Sequence, residues 1–220
     1  MRIMFFDTET NGKPINYKAP MSQVDNWPRV IQLAWSLTDV ENKELSWGNY
    51  LIKPDGWEIP SEATHGKDAE FWLKHGYSTE KSLEVGVPII EAASTFVADL
   101  QSCIVLVCHN MAFDYNVLGA ELIRLGLRSD VVPARICTME GSKDFCKIPM
   151  PHRKERRPWI KQEYKWPKLE ELHRKLFGKD FDNAHDAGGD VAALRSCFFE
   201  LVRQNIISID NLEARQRAVQ

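Results

Sequence analysis

Apolar and polar positions along the chain follow two rhythms in succession, one of period two and one near 3.6, and their order predicts an α/β protein. Residues 2–7 form a short apolar strand, closed by Thr8, Glu9, Thr10 and the turn pair Asn11-Gly12. A polar loop with Pro14, Pro20 and Pro28 leads to residues 30–40 and 45–53, two further strands joined by the polar stretch 41–44. The three strands read as a meander. Residues 88–100 place Ile89, Ala92, Phe96 and Leu100 at helical spacing, and 103–108 is a continuous apolar run of the kind a strand covered on both faces needs. A helix over 111–125 carries Val117, Leu118, Leu122 and Leu125 and stops at Gly126; residues 131–138 read as a last short strand. Two more helices follow. One spans 168–177 and ends at Gly178; the other spans 186–204 with Val191, Leu194, Phe198, Leu201 and Val202 on its apolar stripe. The expected architecture is a central mixed sheet of about five strands flanked by helices. No internal repeat is evident, which excludes solenoid and propeller folds.

Composition narrows the class without naming a function. A 220-residue chain with 44% hydrophobic and 27% charged residues is an ordinary globular protein able to bury a sizeable core. Lys and Arg total 28 against 31 Asp and Glu, so a net charge of −3 excludes broad electrostatic adhesion to nucleic acid or anionic membrane, and any basic surface is local. Cys103, Cys108, Cys137, Cys146 and Cys197 show neither CxxC pairing nor tight spacing with histidine, so reduced thiols are expected. The first residues reach Asp7 too early for a secretory signal, and no run approaches the ~20 apolar residues of a membrane helix. A cytoplasmic protein without a membrane partner is expected.

The chemistry lies in carboxylates. Asp7 and Glu9 stand at i and i+2 of an extended strand, which points both to one face. Asp114 follows the buried strand across His109-Asn110, at the start of the next helix and near the same sheet end. Asp190 lies five residues after His185, too far round a helix to share its face, so His185 belongs to the preceding loop with Asp186 as the cap between them. Four converging carboxylates repel unless cations intervene. Oxygen ligation suits two Mg²⁺ or Mn²⁺ ions about 3.5–4 Å apart, a site that serves phosphodiester displacement. His185 is placed to take a proton from the attacking water, a role worth roughly 10²–10⁴ in rate. Singly, each of these residues has an ordinary explanation; their order and joint pattern carry the reading.

Three blocks resemble the DEDDh family of exonucleases: Phe6-Asp7-Thr8-Glu9-Thr10-Asn11-Gly12, Cys108-His109-Asn110-Met111-Ala112-Phe113-Asp114, and Ala184-His185-Asp186-Ala187-Gly188-Gly189-Asp190. The resemblance covers most of residues 1–140 and 167–205. It implies a ribonuclease H-like fold and metal-dependent 3′-to-5′ removal of nucleoside 5′-monophosphates from single-stranded ends; DNA is the expected substrate ahead of RNA, although nothing in the three motifs selects deoxyribose over ribose. It further implies that Asp7 bridges two ions, Glu9 and Asp190 hold the nucleophile side, Asp114 supports the second ion, and His185 is the general base. Substrate contacts are expected at Thr8, Thr10, Asn110 and Phe113, and at His75 in the segment Lys74-His75-Gly76-Tyr77-Ser78, which is similar to a family segment near the substrate end. Proofreading members of the family make a DNA polymerase a candidate partner, although no polymerase-binding peptide is recognisable. An RNA-trimming enzyme is the alternative within the family, and a binding module without turnover is the alternative outside enzymes.

Two features depart from the family pattern. The loop from Lys13 to Pro28 is longer than usual, and residues 142–166 look inserted. That insertion holds Lys143, Lys147, Arg153, Lys154, Arg156, Arg157, Lys161 and Lys165 among Trp159, Tyr164 and Trp166. Cations for phosphates and flat rings for bases suit single-strand binding, with Arg156, Arg157 and Trp159 as the expected contacts; a solvated loop with its aromatics packed back is the equal alternative. The organisation expected is one domain over 1–205 carrying this insertion, then a tail over 206–220.

Overall fold

The apolar run that opens the chain becomes the centre of the sheet. A computed structural model describes residues 1–129, 133–150 and 164–209. Strand β1 (Arg2–Thr10) has Ile3, Met4, Phe5 and Phe6 fully buried, as a strand covered on both faces requires. It pairs antiparallel with β2 (Val30–Asp39), which pairs antiparallel with β3 (Glu44–Leu51), the expected meander. On its other side β1 pairs in parallel with β4 (Val105–Cys108), and β4 with β5 (Ala134–Cys137), giving the order β3-β2-β1-β4-β5. β1 runs three residues beyond the expected strand, so Glu9 lies within it, and a bulge follows between Glu9 and Thr10.

Helices α1 (Glu62–His65), α2 (Glu70–Lys74) and α3 (Thr79–Val85) fill a region where the hydrophobic pattern predicts no element. They are short and bury few residues, so no periodicity marks them. The longer helices fall where expected: α4 (Ile89–Leu100) and α5 (Met111–Arg124) on one face of the sheet, α8 (Leu169–Phe177) and α9 (Ala187–Arg203) on the other, with short α6 (Thr138–Gly141) and α7 (Lys143–Cys146) between. Alternation along β1 divides the core. Met4 and Phe6 pack with Phe96, Leu106 and Leu118, while Ile3 and Phe5 pack with Val191, Leu194 and Phe198. At about 25 cal/mol per Å² of apolar surface, such burial is the main stabilising term.

The flanks of the 142–166 segment pack on the body. Cys146 of α7 is buried in the α9-side core, Pro149 bridges Tyr164, and Lys165 forms an ion pair with Glu171 at 2.5 Å. Arg156, Arg157 and Trp159 lie outside the described residues. Among the described residues no helix is long and apolar enough to cross a membrane.

Candidate active site

β1 alternation sends Asp7 and Glu9 to the face of Ile3 and Phe5, toward α9, with Ala34 and Gln32 as their partners on β2. Thr8 and Thr10 point the opposite way. β4 ends at Cys108, and the chain turns through Asn110 in the left-handed conformation (φ 80°), which asparagine tolerates better than most residues. Helix α5 then begins, and its first turn delivers Asp114 to the end of β1. There the buried Asp114 carboxylate accepts bonds from the Thr8 amide (3.2 Å), the Thr8 hydroxyl (2.7 Å) and the Cys108 thiol (3.2 Å).

The third contribution comes from the start of α9. The Asp186 side chain caps that helix by accepting from the Gly189 amide at 3.1 Å. His185 stands just outside it at φ 67°, and its amide donates to Asp190 Oδ2 at 3.1 Å. Gly189 is required by close approach, because a Cβ there would lie 2.4 Å from the Asn183 carbonyl oxygen. Ligand atoms of Glu9, His185 and Asp190 all lie within 4.8 Å of one another.

Burial and mutual repulsion dominate the electrostatics. Asp7 is held well above the usual carboxylate range by burial first, then by the charges of Asp114, Asp190, Glu9 and Asp186. Glu9 is pushed up to about 9 by burial, with Asp190, Asp114 and Asp186 adding to it. Burial likewise raises Asp190 to about 7, against the opposing bond from the His185 amide. Asp114 rises only to about 6, because the donors from Thr8 and Cys108 stabilise its anion against burial. The leading charges acting on Asp7 and Glu9 are therefore all acidic. A cluster of oxygen donors with no counter-charge among the leading influences from the described residues fits hard divalent cations such as Mg²⁺ or Mn²⁺.

A groove of about 670 Å³ opens beside these carboxylates. Thr8, Glu9, Thr10, Asn110 and Phe113 line it, as do Tyr17, Phe71 and Trp72. The hydroxyls of Thr8 and Thr10 are engaged with Asp114 and with the Gly12 carbonyl (2.8 Å). The Tyr17 and Phe113 rings lie 6.4 Å apart, and the Trp72 indole donates to the Thr10 carbonyl at 2.9 Å. His75 does not line the groove; its ring packs 4.7 Å from that of His185 and 4.8 Å from that of Phe71. Burial, then His185 and Lys74, holds its pKa below the usual value. Tyr17, Phe71 and Trp72 are not marked by the sequence pattern, since Tyr17 stands in a loop and the other two in the five-residue α2. The His185 side chain is 42% exposed, with Nε2 3.5 Å from Glu170 Oε1.

No family model and no curated protein matches the sequence. Solved structures do. Escherichia coli Exonuclease I in complex with a dA16 oligonucleotide superposes with a TM-score of 0.62 at 19% identity over 93% of this chain. The yeast Pop2 RNase domain gives 0.64 at 17% identity, over 95% of this chain and 80% of that one. Exonuclease I from Methylocaldum szegediense gives 0.60 at 18% identity over 92% of this chain. The chain spans 42% of the E. coli Exonuclease I chain and 40% of the M. szegediense one. With its order β3-β2-β1-β4-β5 and helices on both faces, this chain has the ribonuclease H-like fold of these exonucleases.

Proposed function

We propose that this chain is a metal-dependent 3′-to-5′ exonuclease that releases nucleoside 5′-monophosphates from single-stranded ends. The observation that carries the reading is the meeting of Glu9, Asp190 and a half-exposed imidazole, His185, with Asp7 and Asp114 close enough to repel the two carboxylates, beside an aromatic groove. The four carboxylates would hold two divalent ions. Those ions would supply charge for the attacking and leaving oxygens of a phosphodiester displacement. Glu9 and Asp190 give up their protons to become ligands, which their raised values make pH-dependent. His185 accepts the proton of the attacking water, and its exposure leaves a route for that proton to solvent.

The groove supports an unpaired substrate. Tyr17, Phe113, Phe71 and Trp72 offer ring faces on which bases stack without sequence preference. E. coli Exonuclease I has been crystallised with dA16 and with dT13, which supports a single-stranded DNA substrate here. RNA is the second reading, favoured by the Pop2 RNase domain, of which the match spans 80%. A polymerase partner has no support among these structures. All five cysteines are free thiols, which supports a reducing compartment such as the cytoplasm.

Digestion of 5′-labelled single-stranded DNA and RNA oligomers of matched sequence tests the proposal, with Mg²⁺, Mn²⁺ or EDTA and with Asp7→Ala as control. A ladder shortening from the 3′ end, lost in EDTA and in the variant, is expected. No cleavage of either polymer under any metal refutes it.

A further inference from the structure

Gln32 pairs with Glu9 across β1 and β2 and is itself buried. Its side chain uses both ends. Nε2 donates to Asn49 Oδ1 (2.9 Å) and Asp186 Oδ2 (2.8 Å), while Oε1 accepts from the Ala187 amide (3.0 Å) and from the Tyr77 hydroxyl. The same hydroxyl lies 3.0 Å from the His185 carbonyl, so its single proton is shared between the two acceptors. Tyr77 is 5% exposed and packs with Ile31 and Ile59, which fixes its ring from behind. Residues 185, 186 and 187 are therefore each tied to a buried pair that belongs to none of the three sequence blocks carrying the carboxylates.

The loop needs such a tie. Asn183 and His185 both have positive φ (59° and 67°), an uncommon conformation that asparagine and histidine adopt more readily than most residues and that bonds from outside the loop help to hold. The imidazole has ring contacts with His75 and Phe71 and a 3.5 Å approach to Glu170. None of these contacts is a tight hydrogen bond, so the orientation of the ring over Glu9 and Asp190 depends on its backbone.

We propose that Tyr77 and Gln32 are positioning residues for His185, holding the 185–187 backbone so that the imidazole faces the carboxylate cluster. The inference rests on the exonuclease reading, and names two residues through which that site is aligned. A misplacement of about 1 Å in a reacting group can cost about 10²-fold in rate. Tyr77→Phe keeps the packing and removes the shared proton; it lowers kcat on a single-stranded oligomer about 10- to 100-fold and leaves KM within about twofold.

The test is a cycle of Tyr77→Phe, His185→Ala and the double variant, with kcat and KM measured for each on the polymer the wild type cleaves. If Tyr77 acts through His185, Tyr77→Phe changes nothing further once the imidazole is gone. Gln32→Leu provides a second perturbation, expected to lower kcat in the same direction without adding to Tyr77→Phe. A readout independent of turnover is the imidazole ¹H–¹³C spectrum, where the signal missing from His185→Ala identifies His185. Tyr77→Phe should shift or broaden that signal and leave those of His109 and His173 in place. A kcat within twofold of wild type, or an equal loss in the His185→Ala background, overturns the proposal. If the wild-type chain cleaves neither polymer, the exonuclease reading fails by itself, and an unmoved His185 signal in Tyr77→Phe then overturns the anchoring as well.

Discussion

Replacing Asp190 with asparagine should stabilise the metal-free protein while removing its function. Asparagine preserves the shape of the side chain and can still accept the His185 amide, now 3.1 Å from Asp190 Oδ2. It deletes one of the acidic charges around Asp7 and Glu9. Ligand atoms of Glu9 and Asp190 lie within 4.8 Å of each other, and two unit charges at that distance repel by about 3.5 kcal/mol at an effective dielectric of about 20. Protonation relieves part of this, since Glu9 sits at about 9 and Asp190 at about 7. A gain of about 2 kcal/mol remains at pH 8, or about 4–8 °C in Tm for a chain of this size. The sign follows from the raised values. Carboxyls whose ordinary values are 3.8 and 4.5 contribute most to stability below about pH 4, and lose that contribution as pH rises through about 7 for Asp190 and about 9 for Glu9. At pH 5 both groups keep their protons in the folded state but have partly lost them in the unfolded chain, so the variant's advantage should shrink without vanishing. Thermal unfolding of the two proteins in EDTA at pH 5 and pH 8 measures this directly. Adding Mg²⁺ or Mn²⁺ should raise Tm at pH 8 more for the wild type than for Asp190→Asn. A variant less stable than wild type at pH 8 in EDTA, or an equal difference at both pH values, refutes the repulsion argument.

Three further outcomes are expected. Glu121→Ala should cost about 3–5 kcal/mol in urea unfolding, because the buried carboxylate pairs with Arg29 (2.7 Å) and Arg124 (3.1 Å) and accepts the Val30 amide. Gly48→Ala should destabilise by about 1–3 kcal/mol or more in the same assay, since the added Cβ would lie 2.3 Å from the Trp35 ring. Tyr17→Ala should weaken equilibrium binding of a single-stranded oligomer, measured by fluorescence anisotropy, by about 1–3 kcal/mol, the worth of one base–aromatic stack, without changing its salt dependence.

Local periodicity was legible wherever an element was long enough to carry it. The i, i+2 spacing of Asp7 and Glu9 sends both to one face because strand side chains alternate, and β1 carries them so. The five-residue step from His185 to Asp190 forces a loop residue and a helix residue, and Asp186 caps α9 as its side chain chemistry allows. Helices α4, α5, α8 and α9 are long enough for an apolar stripe to announce them. The rest was decided by partners far apart along the chain. Asp114 takes two of its three donors from Thr8, 106 residues away, and that contact exists only because β4 lies parallel beside β1. Helices α1, α2 and α3 have 4, 5 and 7 residues, too few turns to show a period, so the Phe71 and Trp72 wall of the groove left no signature. Gln32 and Asp186 stand 154 residues apart, and Tyr77 reaches His185 across 108. Periodicity reports which face a residue takes within its own element. Only the crossing of β1, β2 and α9 determines which faces meet.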